Sequence, residues 1–155
     1  MRFLAALLFA CVAHAQTVPA SAPTLNNWCG AGAGYSSDGS PKTTGWISCG
    51  ILANASQKIY SQWAYDIIPQ KHGVPLASAR TGAGTILRQV GNLYIVGLGT
   101  LGVAQTGSAV TSAFSGGGLA IYKFPNNWTV EAGARIVKAG SASPAVYEVG
   151  FGRAW

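Results

Sequence analysis

A chain of 155 residues is long enough for one domain of ordinary size and too short for two large ones. Charged residues make up only 9% of it, against ~25% in soluble proteins, and its 21 glycines are about twice the average share, so a conventionally solvated surface is excluded. The formal charge of +6 comes from scattered Lys and Arg, with no basic helix and no RNA-binding aromatic motif, which excludes nucleic acid as a partner.

Taken in chain order, Arg2 is a short positive region, 3–12 an apolar stretch, and Ala13-His14-Ala15 a small-x-small cleavage signature. The prediction is a cleavable secretory signal over 1–15, with Gln16 as the first mature residue. The stretch is too short to cross a bilayer as a helix. A lipoprotein box at Leu8-Phe9-Ala10-Cys11 is the weaker reading, because bulky Phe9 stands where a small residue is preferred. Residues 16–27 hold Pro19 and Pro23 without periodicity and are predicted to be a leader, followed by a single β domain over 28–155.

Cys11 leaves with the signal, and the remaining Cys29 and Cys49 form an even pair in an exported chain, which suggests a disulfide. A hairpin turning at Asp38-Gly39-Ser40 sets Cys29 directly opposite Cys49. Two small unbonded thiols, buried or facing lipid, are the alternative.

Beyond the leader, eight strands are predicted: 28–35, 45–53, 57–67, 80–90, 93–104, 110–124, 128–138 and 146–155. Most have the ~9 to 11 residues with which a tilted strand crosses a bilayer. Three connectors are tight, at 54–56, 91–92 and 125–127, and carry the turn-forming residues a hairpin needs. Four are longer, at 36–44, 68–79, 105–109 and 139–145. Short turns on one side and longer loops on the other are the pattern of an up-and-down outer-membrane barrel with both termini on the periplasmic side. Gly97-x-Gly99-x-x-Gly102 has the spacing of a dinucleotide fingerprint, but no helix follows it and no acidic partner supports it.

Alternation along the strands separates charge from apolar bulk. Trp128, Val130, Ala132, Ala134 and Ile136 oppose Thr129, Glu131, Gly133, Arg135 and Val137, and Ile59, Trp63, Tyr65 and Ile67 oppose Lys58, Tyr60, Gln62 and Asp66. An Arg or Lys facing hydrocarbon at the bilayer midplane costs ~2 to 4 kcal/mol, so the charged faces are predicted to line a lumen. With Arg88 and Glu148 added, the predicted lumen network is Lys58, Asp66, Arg88, Glu131, Arg135 and Glu148, three cations with three anions. The strands at 80–90, 93–104 and 110–124 carry small or apolar residues on both faces, which leaves their orientation open. A transmembrane helix over 93–104 is disfavoured because its apolar run of about 12 residues falls short of the ~20 a helix requires.

The final segment places Tyr147, Val149, Phe151 and Trp155 on one face, opposite Val146, Glu148, Gly150, Gly152 and Ala154. Glu148, Gly150, position 153 and Trp155 resemble the closing strand of Gram-negative outer-membrane barrels, with Arg153 standing where that pattern has a hydrophobic residue. Over 28–155 the chain resembles, in pattern, the small eight-stranded barrels of the OmpA/OmpX type. The resemblance implies an all-β, antiparallel, up-and-down transmembrane β-barrel in the outer membrane, with a lumen filled by side chains and too narrow for a pore. It also implies outer-membrane lipid as partner, recognition by the barrel-assembly machinery through the strand ending at Trp155, and an extracellular partner for the loops. Aromatic girdles are expected from Tyr35, Tyr65, Phe124, Trp128 and Trp155. The modest positive surplus could help loops sit against anionic headgroups, but simple solvation is the favoured account.

No cofactor, metal or catalytic site is predicted. His72 is the lone histidine of the mature chain, which is too few for zinc, and no Gly-x-Ser-x-Gly elbow accompanies it. The competing readings are a secreted or periplasmic soluble β-barrel or sandwich that binds a small ligand or partner, and a barrel enzyme acting on lipid.

Overall fold

The computed structural model describes residues 24–37, 42–55, 58–69 and 75–155. The expected signal peptide, most of the leader, the turn at Asp38-Gly39-Ser40 and His72 lie outside the described residues.

Eight antiparallel strands follow one another around a closed barrel. They are β1 (Asn27–Ser36), β2 (Thr43–Asn54), β3 (Ile59–Ile68), β4 (Leu76–Val90), β5 (Leu93–Thr106), β6 (Ala109–Lys123), β7 (Trp128–Ala139) and β8 (Ala145–Ala154). Each pairs with its neighbour in sequence, and β1 closes the ring against β8. Asn27 and Trp155 exchange backbone hydrogen bonds at the seam, 3.3 Å and 3.1 Å long. Both ends of the barrel domain therefore meet at one rim. The tight connections 55–58, 91–92 and 124–127 share that rim, called here the turn end, and the opposite rim is the loop end.

Strand boundaries shift by up to four residues from expectation, notably where β5 meets β6 and at the start of β4. The predicted loop over 105–109 shrinks to Gly107-Ser108, because β5 and β6 pair as far as Thr106 with Ala109 and Gly107 adopts a φ of +59°. That left-handed conformation is accessible to glycine without steric cost. At the other boundary, β4 begins at Leu76 rather than at residue 80, which shortens the preceding connection. The 97–102 glycine motif lies inside β5, not in a phosphate-binding turn.

Because side chains alternate, one set from each strand fills the interior. Near the turn end, Leu25, Trp28, Tyr60, Tyr94, Val96, Leu119, Ile121 and Ala154 form an apolar plug. Trp28 and Tyr60 meet edge-to-face with ring centroids 4.8 Å apart, and the Tyr60 hydroxyl donates to the Leu25 carbonyl. Near the loop end, Ile68, Leu76, Ala104, Ala113, Val137, Ala139 and Val146 form a second plug.

The packing gives the seam glycines a reason. Gly30 lies opposite Gly152, and Gly32 opposite Gly150. A Cβ on Gly30 or Gly152 would strike the Glu131 carboxylate, one on Gly150 would strike the Trp46 ring, and one on Gly50 would strike the Trp28 ring. Large interior side chains on some strands are accommodated by missing ones on their neighbours.

Candidate functional site

Between the two apolar plugs lies a polar layer. It begins with Asp66 on β3, whose carboxylate is buried at 0% exposure and accepts from three side chains. Ser78 Oγ donates to Asp66 Oδ2 at 2.9 Å, and Arg80 Nη2 donates to the same oxygen. Arg135 reaches across from β7, with Nη1 on Asp66 Oδ2 at 3.1 Å and Nη2 on Asp66 Oδ1. The Nε of Arg135 donates to Glu148 Oε2 on β8 at 2.8 Å. Two guanidiniums and two carboxylates from four strands thus form one cluster that ties opposite walls of the barrel together.

Around the cluster sit neutral polar groups. Gln62 Nε2 donates to Ser48 Oγ, and the Thr100 and Ser115 hydroxyls are 2.7 Å apart. Glu131, also fully buried, sits nearer the turn end and accepts from Thr129 Oγ1 at 3.0 Å. Such a layer needs its internal partners, because a buried charge without one is costly.

Of the six residues expected in the lumen, Asp66, Arg135 and Glu148 are brought together and Glu131 is buried apart from them. Lys58 and Arg88 are not in the lumen; both are exposed. For Lys58 the reason is that β3 starts at Ile59, two residues later than expected, leaving Lys58 in the turn with a φ of +53°. For Arg88 it is a β-bulge. The β4–β5 register slips between Ile86 and Arg88, so Leu87 is an extra residue and the alternation reverses beyond it. Ile86 pairs with buried Val96 and Gln89 with buried Tyr94, whereas Arg88 pairs with Ile95 on the outside.

Arg80, not among the expected lumen residues, takes the place in the cluster that Arg88 was expected to fill. The available signal was that Arg80 shares the parity of Arg88 along β4. Cys29 and Cys49 are opposed in register and disulfide-bonded, with their Cα atoms 4.0 Å apart.

The outside of the barrel has the opposite character. Phe151 is 70% exposed, Trp63 59%, Leu101 59%, Ile47 54% and Val149 54%, on four different strands. Soluble monomers rarely expose contiguous apolar patches beyond a few hundred Å², and this surface runs around the ring. The outward-facing charges of the described residues lie at the two rims. Arg88, Arg153 and the turn residue Lys58 are at the turn end; Lys138 and Lys42 are at the loop end. Tyr35 and Tyr147, exposed and paired in register, sit near the loop end, and Tyr122, Phe124, Trp128 and Trp155 near the turn end. Lys42 Nζ donates to the Tyr35 hydroxyl at 3.0 Å, a contact that holds the ammonium above its ordinary pKa.

Among the described residues, no group of three His, Cys, Asp or Glu side chains is placed to hold a metal ion. No protein-family model and no curated protein matches the chain.

Proposed function

We propose that the chain is an outer-membrane β-barrel whose filled lumen serves envelope structure rather than transport. The observation that carries this reading is the inverted polarity of the barrel: Asp66, Arg80, Arg135, Glu148 and Glu131 are inside, while the outward band between the rims bears large apolar side chains. Water would favour the reverse arrangement, and hydrocarbon favours this one. Exposed aromatics near both rims are placed where amphipathic rings settle at a lipid–water boundary.

A pore is disfavoured by the two apolar plugs and the ionic layer between them, which occupy the interior from end to end. Recognition through the loop end is limited by area, since the β5–β6 connection has two residues and the others fewer than ten. Envelope structure is therefore the stronger half of the proposal, and surface interaction the weaker.

Fractionation tests it. The protein is expected with outer membranes after carbonate or urea extraction, and its unheated form is expected to migrate faster than the boiled form on a detergent gel. A chain that stays monodisperse without detergent would instead favour the soluble-barrel reading.

A further inference from the structure

Among the described residues, the cations at the turn end have no Asp or Glu side chain as a counterpart. Asp66, Glu131 and Glu148 are in the lumen, and the chain's fourth acidic residue, Asp38, belongs to the connection between β1 and β2. Lys58, Arg88, Lys123 and Arg153 meanwhile gather at this one rim. None of the four makes an ion pair with a described carboxylate.

Their positions are set by specific backbone features. Lys58 projects from a left-handed turn residue, and Arg88 faces outward because the bulge at Leu87 reverses the alternation of β4. Lys123 ends β6 at the barrel mouth, where Nζ donates to the Thr24 carbonyl at 3.1 Å. Arg153 faces outward on β8, flanked in register by Trp128 and Cys29. The four fall on the β2–β3 turn, β4, β6 and β8, so they recur at alternate strands around the ring.

We propose that the turn end is a collar for the headgroups of anionic phospholipids in the surrounding leaflet. This rests on the membrane reading above and deepens it by naming a lipid class. A compact acidic ligand would call for clustered cations; cations spread around the circumference suit a charged surface that surrounds the protein. The aromatic neighbours agree with that depth. Trp128 and Trp155 are exposed at the same rim, as are Tyr122 and Phe124, which meet edge-to-face at 5.0 Å. Basic side chains beside a belt of Trp and Tyr are the combination that a negatively charged lipid–water interface attracts.

The test uses the whole protein reconstituted into phosphatidylcholine vesicles carrying trace spin-labelled phosphatidylglycerol or spin-labelled phosphatidylcholine. The motionally restricted fraction of each label reports its association with the barrel. The expected result is a preference of about threefold for phosphatidylglycerol at low salt, falling towards parity near 1 M NaCl, where the screening length shrinks to ~3 Å. The triple variant K58Q/R88Q/R153Q, which leaves Lys123 on Thr24, is expected to lose most of the preference. Equal association of the two lipids with the native barrel overturns the collar, as does a preference unaffected by both salt and the triple variant. If the variant fails to insert, the salt series on the native protein still decides. Native protein that inserts but shows no preference sinks the collar alone, and native protein that does not insert sinks the membrane reading with it. A collar that prefers a soluble acidic protein over the charged lipid would likewise show no lipid preference and overturn the proposal.

Discussion

Asp66 is the hinge of the lumen cluster, and its neutralisation has a calculable consequence. In Asp66→Asn the side chain keeps its shape and loses the charge that two guanidiniums share. Arg135 retains Glu148, but Arg80 loses its one hydrogen-bonded acceptor, since its Nε and Nη1 have no protein partner among the described residues. Breaking a buried pair from one side costs 3 to 5 kcal/mol in other proteins; because Asn still offers an oxygen, about 3 kcal/mol is expected here. With a urea slope of roughly 2 kcal/mol per molar, that moves the unfolding midpoint down by about 1.5 M. The assay is urea unfolding in detergent micelles, read by the emission of the barrel tryptophans. The informative comparison is Asp66→Asn with Arg80→Met, which also removes the one charge the single variant orphans and leaves the Arg135–Glu148 pair intact. That double variant should return to within about 1 kcal/mol of the native barrel. A single variant that loses under ~1 kcal/mol, or a double variant less stable than the single, would refute the claim that the cluster is a desolvated ionic tie.

Gly50→Ala drives a methyl group into the Trp28 ring and is expected to cost ~1 to 3 kcal/mol by overpacking, measured as a lower urea midpoint with Trp28 emission altered. Replacing Cys29 and Cys49 by Ser frees a segment with a sequence separation of 20 residues and should cost about 3 kcal/mol of chain constraint while leaving the folded gel band in place. Val149→Arg places a cation on the outer band between the rims and should cost ~2 to 4 kcal/mol in lipid vesicles, whereas a barrel surrounded by water would tolerate it within ~0.5 kcal/mol. Lys138→Ala, at the rim, is expected to change stability by less than ~0.5 kcal/mol in the same vesicles.

Much of the architecture was visible as two-residue alternation punctuated by turn residues. β7 is the clearest case: Glu131 and Arg135 share a parity opposite to Trp128, Val130 and Ile136, and the barrel keeps that division. The Cys29–Cys49 juxtaposition followed from a hairpin centre, because in an antiparallel pair one turn position fixes every register partner. What could not be read was any break in that regularity. Arg80 and Arg88 have the same parity, so a uniform strand puts both on one face, and only the extra residue at Leu87 separates them. A bulge is settled by packing between strands, and nothing in Ile86-Leu87-Arg88 announces it. Lys58 was misplaced for a related reason, since a left-handed residue at a turn looks in sequence like the first residue of the following strand. The open orientation of β4, β5 and β6 reflects their many glycines and alanines, which carry too little side chain to show a preferred face.

The seam between β1 and β8 joins the most distant parts of the domain, pairing Trp28 with Ala154 and Ser36 with Val146. No ring exists until the eighth strand has paired, so every earlier stage of folding leaves two unpaired edges whose open amides and carbonyls invite other strands. A chain cut before Ala145 would retain seven of the eight strands yet none of the closure, and it should aggregate instead of forming a smaller barrel. Closure of this molecule is consequently a late event, and keeping the unsealed polypeptide from pairing with other strands is as much a requirement of the design as the finished cylinder.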